Sequence, residues 1–125
     1  MRVSITDMIL WSGASQVAGP DDIACDGATA DSRDVSAGQL FVGVPGENVD
    51  GGLHAPEAIT RGAAAVLISE GAWDVVGDDL RDLPAAILVH DDPVAALGLL
   101  GRGALGALGA RVVGITGSYG KTSTK

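Results

Sequence analysis

The sequence predicts an α/β fold, and two observations carry that expectation. Short apolar runs rich in β-branched residues, at residues 40–44, 64–68, 85–89 and 111–116, alternate with segments of helical composition and helical caps. The last run leads straight into the glycines Gly117 and Gly120, which is where a strand hands over to a helix in layered α/β proteins.

The elements follow in order. Ser4 or Thr6 can cap a short helix carrying Ile5, Met8, Ile9 and Trp11, which ends near Ser12 and Gly13. The polar, glycine-bearing stretch 18–27 reads as turn and edge structure. Residues 28–31 come next, then a turn through Ser36, Ala37 and Gly38, then a strand from Leu40 to Val44. Residues 45–52 form a loop long enough to approach a ligand. Pro56 sits where it can open a helix over 55–61, and Gly62 closes it. A strand over 64–68 follows. The acidic segment 70–82 reads as a mostly solvated connection, and Pro84 precedes the strand at 85–89.

Asp92 and Pro93 then supply a cap and a first-turn proline for a helix from Val94 onward. Gly98, Gly101, Gly103 and Gly106 weaken that helix by about 0.8 to 1 kcal/mol each relative to alanine. It must pack very closely against a neighbour or be marginal.

The chain has 125 residues and a formal net charge of -8, which fits one domain by length and argues against nonspecific nucleic-acid binding. Six arginines are scattered from Arg2 to Arg111, whereas the two lysines, Lys121 and Lys125, both flank the glycine loop. Local positive charge thus coincides with a candidate phosphate site. Cys25 is the single cysteine, so it cannot form an intramolecular disulfide; it reads as a packing residue, and a reducing, cytoplasmic compartment fits. The first residues lack the apolar core of a signal peptide. Arg102 interrupts the apolar stretch 94–110, which therefore reads as a core helix and not a membrane insertion.

In the run GITGSYGKTSTK, the backbone N–H groups of Gly117, Ser118, Tyr119 and Gly120 can face phosphate oxygens of ATP. Lys121 reaches the outer phosphates as the one catalytic side chain, the Thr122 hydroxyl can ligate Mg2+, and Ser123 continues the site.

Three segments in order, Asp31-Ser32-Arg33, the stretch from Gly38 to Gly51 and the run from Gly114 to Lys125, resemble the start of a Mur ligase. The similarity covers essentially the whole chain. Ile115 stands where the usual phosphate loop has its first glycine, a variant that this family shares. The resemblance implies a UDP-substrate-binding domain over 1–110 and, over 111–125, the opening strand and P-loop of a truncated central ATPase domain. It places Ser32 and Arg33 against the UDP portion, with Glu47, Asn48 and Val49 in the loop that closes over it. Such groups can bind uracil edges and diphosphate oxygens, and Arg33 can fork onto phosphate. On the residues alone, a plain turn with a surface ion pair and a connecting loop is favoured; the family spacing reverses that preference.

Within the family the loop looks most like that of the ligases adding D-alanyl-D-alanine to UDP-MurNAc-tripeptide. These act through an acyl phosphate formed with ATP and Mg2+, and a monomer is expected. The alternatives are addition of a diamino acid by a sister ligase, or a non-catalytic UDP-sugar-binding module. The isolated 125 residues are expected to be inactive, since the helix after the loop and most metal ligands lie beyond Lys125. One departure concerns Gly52: the family usually has a histidine there, directly after Asp-Gly, and here the histidine is displaced to His54. His54 and His90 read as surface or core residues, not catalysts.

Overall fold

Alternate residues of three central strands project into two separate apolar layers, so the chain builds a sheet covered on both faces. The computed structural model describes residues 2–44 and 50–103. Among these, the strands are β1 (Arg2–Ser4), β2 (Ser15–Ala18), β3 (Ala24–Asp26), β4 (Ala28–Thr29), β5 (Leu40–Val42), β6 (Ala65–Ile68) and β7 (Ala86–Val89). The helices are α1 (Ile5–Ser12), α2 (Ala55–Thr60), α3 (Glu70–Leu80) and a fourth, α4, over 93–103.

The main sheet has the order β2-β7-β6-β5-β4. β4, β5, β6 and β7 pair in parallel, and β2 closes one edge antiparallel to β7. Every residue of β6 and β7 is buried, which is why both read as unbroken apolar runs and not as alternating patterns. Phe41, Val66, Ile68, Ile87 and Val89 pack against Ala58 and Ile59 of α2 and Ala72, Val76 and Leu80 of α3. Leu40, Val42, Leu67 and Leu88 pack on the other face against Ile5 and Met8 of α1 and Ala96 and Leu100 of α4. Each such aliphatic side chain, once buried, contributes about 1.5 to 3 kcal/mol. Cys25 is buried in this second layer, as a packing residue should be.

Local chemistry sets the helix ends. Ser4 is the cap of α1, its hydroxyl accepting the Asp7 N–H at 3.1 Å, and Gly13 ends the helix with a φ of 77° that a β-carbon would strain. Asp92 caps α4 through the Ala95 N–H at 3.1 Å. Of the α4 glycines, Gly98 and Gly101 meet nothing within 4 Å among the described residues, whereas a β-carbon on Gly103 would lie 2.3 Å from Cγ of Trp11. The very close packing expected of this helix is found at that one position. Gly106 lies outside the described residues.

The acidic segment 70–82 is not a solvated connection. Residues 70–80 form α3, capped by Ser69, whose hydroxyl accepts the Ala72 N–H at 3.0 Å. Ala72, Val76 and Leu80 recur every fourth residue and lie on the sheet, while the acidic residues take the outer face. β1 and β3 pair as a separate two-stranded ribbon, and β2 is a true edge strand; the sequence reading had not placed either β1 or β2. No helix among the described residues is long and apolar enough to cross a membrane.

Candidate functional site

The C-terminal ends of parallel strands are where open α/β sheets gather ligand-binding loops, and here β4 and β5 end beside each other. After Thr29 the chain turns through residues 30–34, with the Asp34 N–H donating to the Asp31 carbonyl at 3.0 Å. The Asp31 carboxylate accepts the Arg33 N–H at 2.9 Å and the Arg33 Nε–H at 3.3 Å. Its carboxyl is held below the ordinary value of 3.8, first by that backbone hydrogen bond and then by the Arg33 side chain. The Arg33 side chain is 80% exposed, and an exposed pair of this kind is worth only about 0 to 1 kcal/mol. Arg33 can therefore exchange Asp31 for an incoming anion at little cost.

Ser32 is the opposite case. It is 8% exposed, and its hydroxyl donates to Oε1 of Glu57 at 3.2 Å. Glu57 belongs to α2, and its other oxygen, Oε2, receives the Arg61 guanidinium at 3.3 Å from the next turn of that helix. Ser32, Arg33, Phe41, Gly51, His54 and Glu57 together line a cavity of about 630 Å³, within the size range of small-molecule sites. A second cavity, of about 250 Å³ between α1, β5 and α4, has no charged lining residue and offers no polar recognition.

The loop after β5 is fastened at its base. Gly51 N–H donates to the Val44 carbonyl at 3.0 Å, and the Asp50 side chain accepts from the Gly52 N–H at 2.8 Å and from the Ser69 hydroxyl. A β-carbon on Gly43 would lie 2.4 Å from Cα of Gly52, so these two backbones touch as only glycines allow. A β-carbon on Gly52 would meet the Ala72 side chain of α3 at 2.6 Å. That is the physical reason no histidine stands there: α3 fills the space. His54 is instead exposed at the cavity wall, and His90 is half-buried with its Nδ1 accepting the Asp92 N–H at 2.8 Å.

Of the residues expected from sequence, Ser32 and Arg33 are thus brought together at one cavity with Gly51, the base of the loop. Glu47, Asn48 and Val49 lie outside the described residues, as do Gly117, Ser118, Tyr119, Gly120, Lys121, Thr122 and Ser123. The sequence reading missed Glu57, whose contact with Ser32 spans 25 positions. Its only sequence signal is an acidic residue directly after the helix-opening Pro56.

A family model described as "Mur ligase family, catalytic domain" matches residues 25–103. A UDP-N-acetylmuramoyl-tripeptide--D-alanyl-D-alanine ligase from Bacillus subtilis (strain 168) is 41% identical over 99 residues, which is 79% of this chain and 20% of that protein. A UDP-N-acetylmuramoyl-L-alanyl-D-glutamate--2,6-diaminopimelate ligase from Lawsonia intracellularis is 40% identical over 95 residues, 74% of this chain and 18% of that one. The chain therefore spans about a fifth of the length of the curated relatives it matches. Among solved structures, MurF from Acinetobacter baumannii superposes with a TM-score of 0.63 at 20% identity, covering 82% of this chain and 21% of that one, a likeness of fold.

Proposed function

The chain belongs to the Mur ligase family, and from that premise we propose that it is the UDP-substrate-binding portion of an ATP-dependent ligase of peptidoglycan precursor synthesis. The reaction proposed is addition of D-alanyl-D-alanine to UDP-MurNAc-tripeptide. One observation carries the reading: Ser32, Arg33 and the loop base at Gly51 converge on a single cavity of about 630 Å³.

In this reading residues 1–110 form the substrate domain and 111–125 open the nucleotide domain. Arg33 leaves Asp31 for a diphosphate oxygen, gaining a charge-assisted contact in place of a weak surface pair. The exposed Ala30 offers apolar surface to a base at the cavity, and Glu47, Asn48 and Val49 close over it from the loop after β5. Lys121 holds the outer phosphates of ATP and Thr122 a magnesium ion, roles that rest on the run GITGSYGKTSTK. ATP supplies the driving force for amide-bond formation. The likeness to a 2,6-diaminopimelate ligase supports a second reading in which a diamino acid is added; the amino acid or dipeptide is selected by parts of the protein other than this cavity.

The test is calorimetry of the folded chain with UDP-MurNAc-tripeptide. Saturable heat is expected, weakened about tenfold or more in R33A through loss of the charge-assisted contact. Absence of heat on folded protein removes the reading. Sequence downstream of Lys125 separates the two ligase readings.

A further inference from the structure

Ser32 has one hydroxyl proton, and the structure shows where it goes. The partner is Oε1 of Glu57 at 3.2 Å. Glu57 is ion-paired through Oε2 with Arg61, whose Nε and NH2 groups lie 3.4 and 3.3 Å away. A carboxylate only accepts hydrogen bonds, so the contact requires the serine to donate. With its proton committed, Ser32 Oγ offers only lone pairs to the cavity. Ser32 is 8% exposed, whereas the Glu57 side chain that orients it is 42% exposed on the outer side of the pair and held there by Arg61.

We propose that Glu57 is a positioning residue that fixes the Ser32 hydroxyl as an acceptor, so that the cavity selects a ligand N–H, the imide N3–H of a uracil ring. The inference rests on the UDP-site reading above and deepens it. Phosphate and carbonyl oxygens of a uridine nucleotide only accept, and so cannot be partners of an oxygen whose proton is taken. Ribose hydroxyls can both donate and accept, and so do not discriminate. The imide is the one donor-only group at that end of the molecule. A buried hydrogen-bonding group left without its partner weakens binding more than a made bond strengthens it, which turns this polarity into selectivity.

The experiment titrates the full chain with UDP, with N3-methyl-UDP and with CDP, whose N3 is an acceptor. For the unaltered chain, UDP binds at least about tenfold more tightly than either analogue. In E57Q, Arg61 keeps the amide oxygen toward itself and turns the amide NH2 toward Ser32. The serine then accepts from the amide, and its own proton is released toward the ligand. UDP binding weakens in that variant, the preference for UDP over N3-methyl-UDP collapses to within about twofold, and CDP gains relative to UDP. A general loosening of the fold would weaken all three ligands together; circular dichroism and thermal melting of E57Q monitor that loosening. Equal binding of UDP and N3-methyl-UDP by the unaltered chain overturns the proposal without any variant, as does an unchanged preference in folded E57Q. Absence of UDP binding by the folded, unaltered chain removes the UDP-site reading itself and the proposal with it.

Discussion

Gly52 is held between two neighbours that cannot both yield. A β-carbon there would lie 2.6 Å from Cβ of Ala72 and 3.1 Å from Cβ of Ile68, with the Gly43 backbone packed on the other side. G52A is expected to destabilise the chain by about 1 to 3 kcal/mol, the range for overpacking a filled interior. A urea titration with an unchanged slope checks it; a midpoint equal to that of the unaltered chain would mean that α3 shifts freely. The residue is legible as a departure from the family pattern, but its cause is not, because the displacing side chain comes from α3, a helix that the acidic composition of residues 70–82 conceals. Ser32 and Arg33 were legible for a different reason. They were named through the spacing that the chain shares with its family, since the residues alone favour a plain turn, whereas the Ser32–Glu57 bond exists only once α2 is laid beside the turn after β4.

At the scale of elements, α4 offers a test within a single helix. A β-carbon on Gly98 or Gly101 would meet no atom of the described residues within 4 Å, so alanine at either should stabilise the chain by about 0.5 to 1 kcal/mol through helix propensity and a less flexible unfolded state. G103A should do the reverse, since its β-carbon meets Cβ and Cγ of Trp11, the inner end of that side chain. Thermal melts of the three single variants decide it: two midpoints rise by a few degrees and one falls. Strands β5 to β7 and helices α1, α2 and α4 were readable because caps, prolines and buried runs lie in the local sequence. β1 and β2 were not, since at three and four residues they match β5 to β7 in length but lie outside the buried centre of the sheet and lack an unbroken apolar run. Helix α3 was hidden by its own solvent face, where acidic residues outnumber the apolar stripe at Ala72, Val76 and Leu80.

For the whole molecule, the parallel sheet sets acidic groups from different strand ends side by side. Glu70 opens α3 after β6 and Asp91 follows β7; the Glu70 carboxyl is pushed above its ordinary 4.5, first by a hydrogen bond with Asp91 and then by the like charges of Asp91 and Asp74. The folded chain thus keeps a proton that the unfolded chain has released between pH 4.5 and the raised value. Stability falls as pH rises through that window, and above it the repulsion persists. E70Q is therefore expected to melt higher than the unaltered chain at pH 7, with the gap narrowing as pH falls toward 4.5. Melting curves across that range check it, and a gap independent of pH would exclude the acid pair as its source. The same strand ends govern the loop after β5. Its two sides are already joined by the Gly51–Val44 hydrogen bond and by the contact of Gly43 with Gly52, both made without any ligand. The described chain on either side of residues 45–49 is therefore already joined, and a ligand seated at this end of the sheet need not draw two distant segments together.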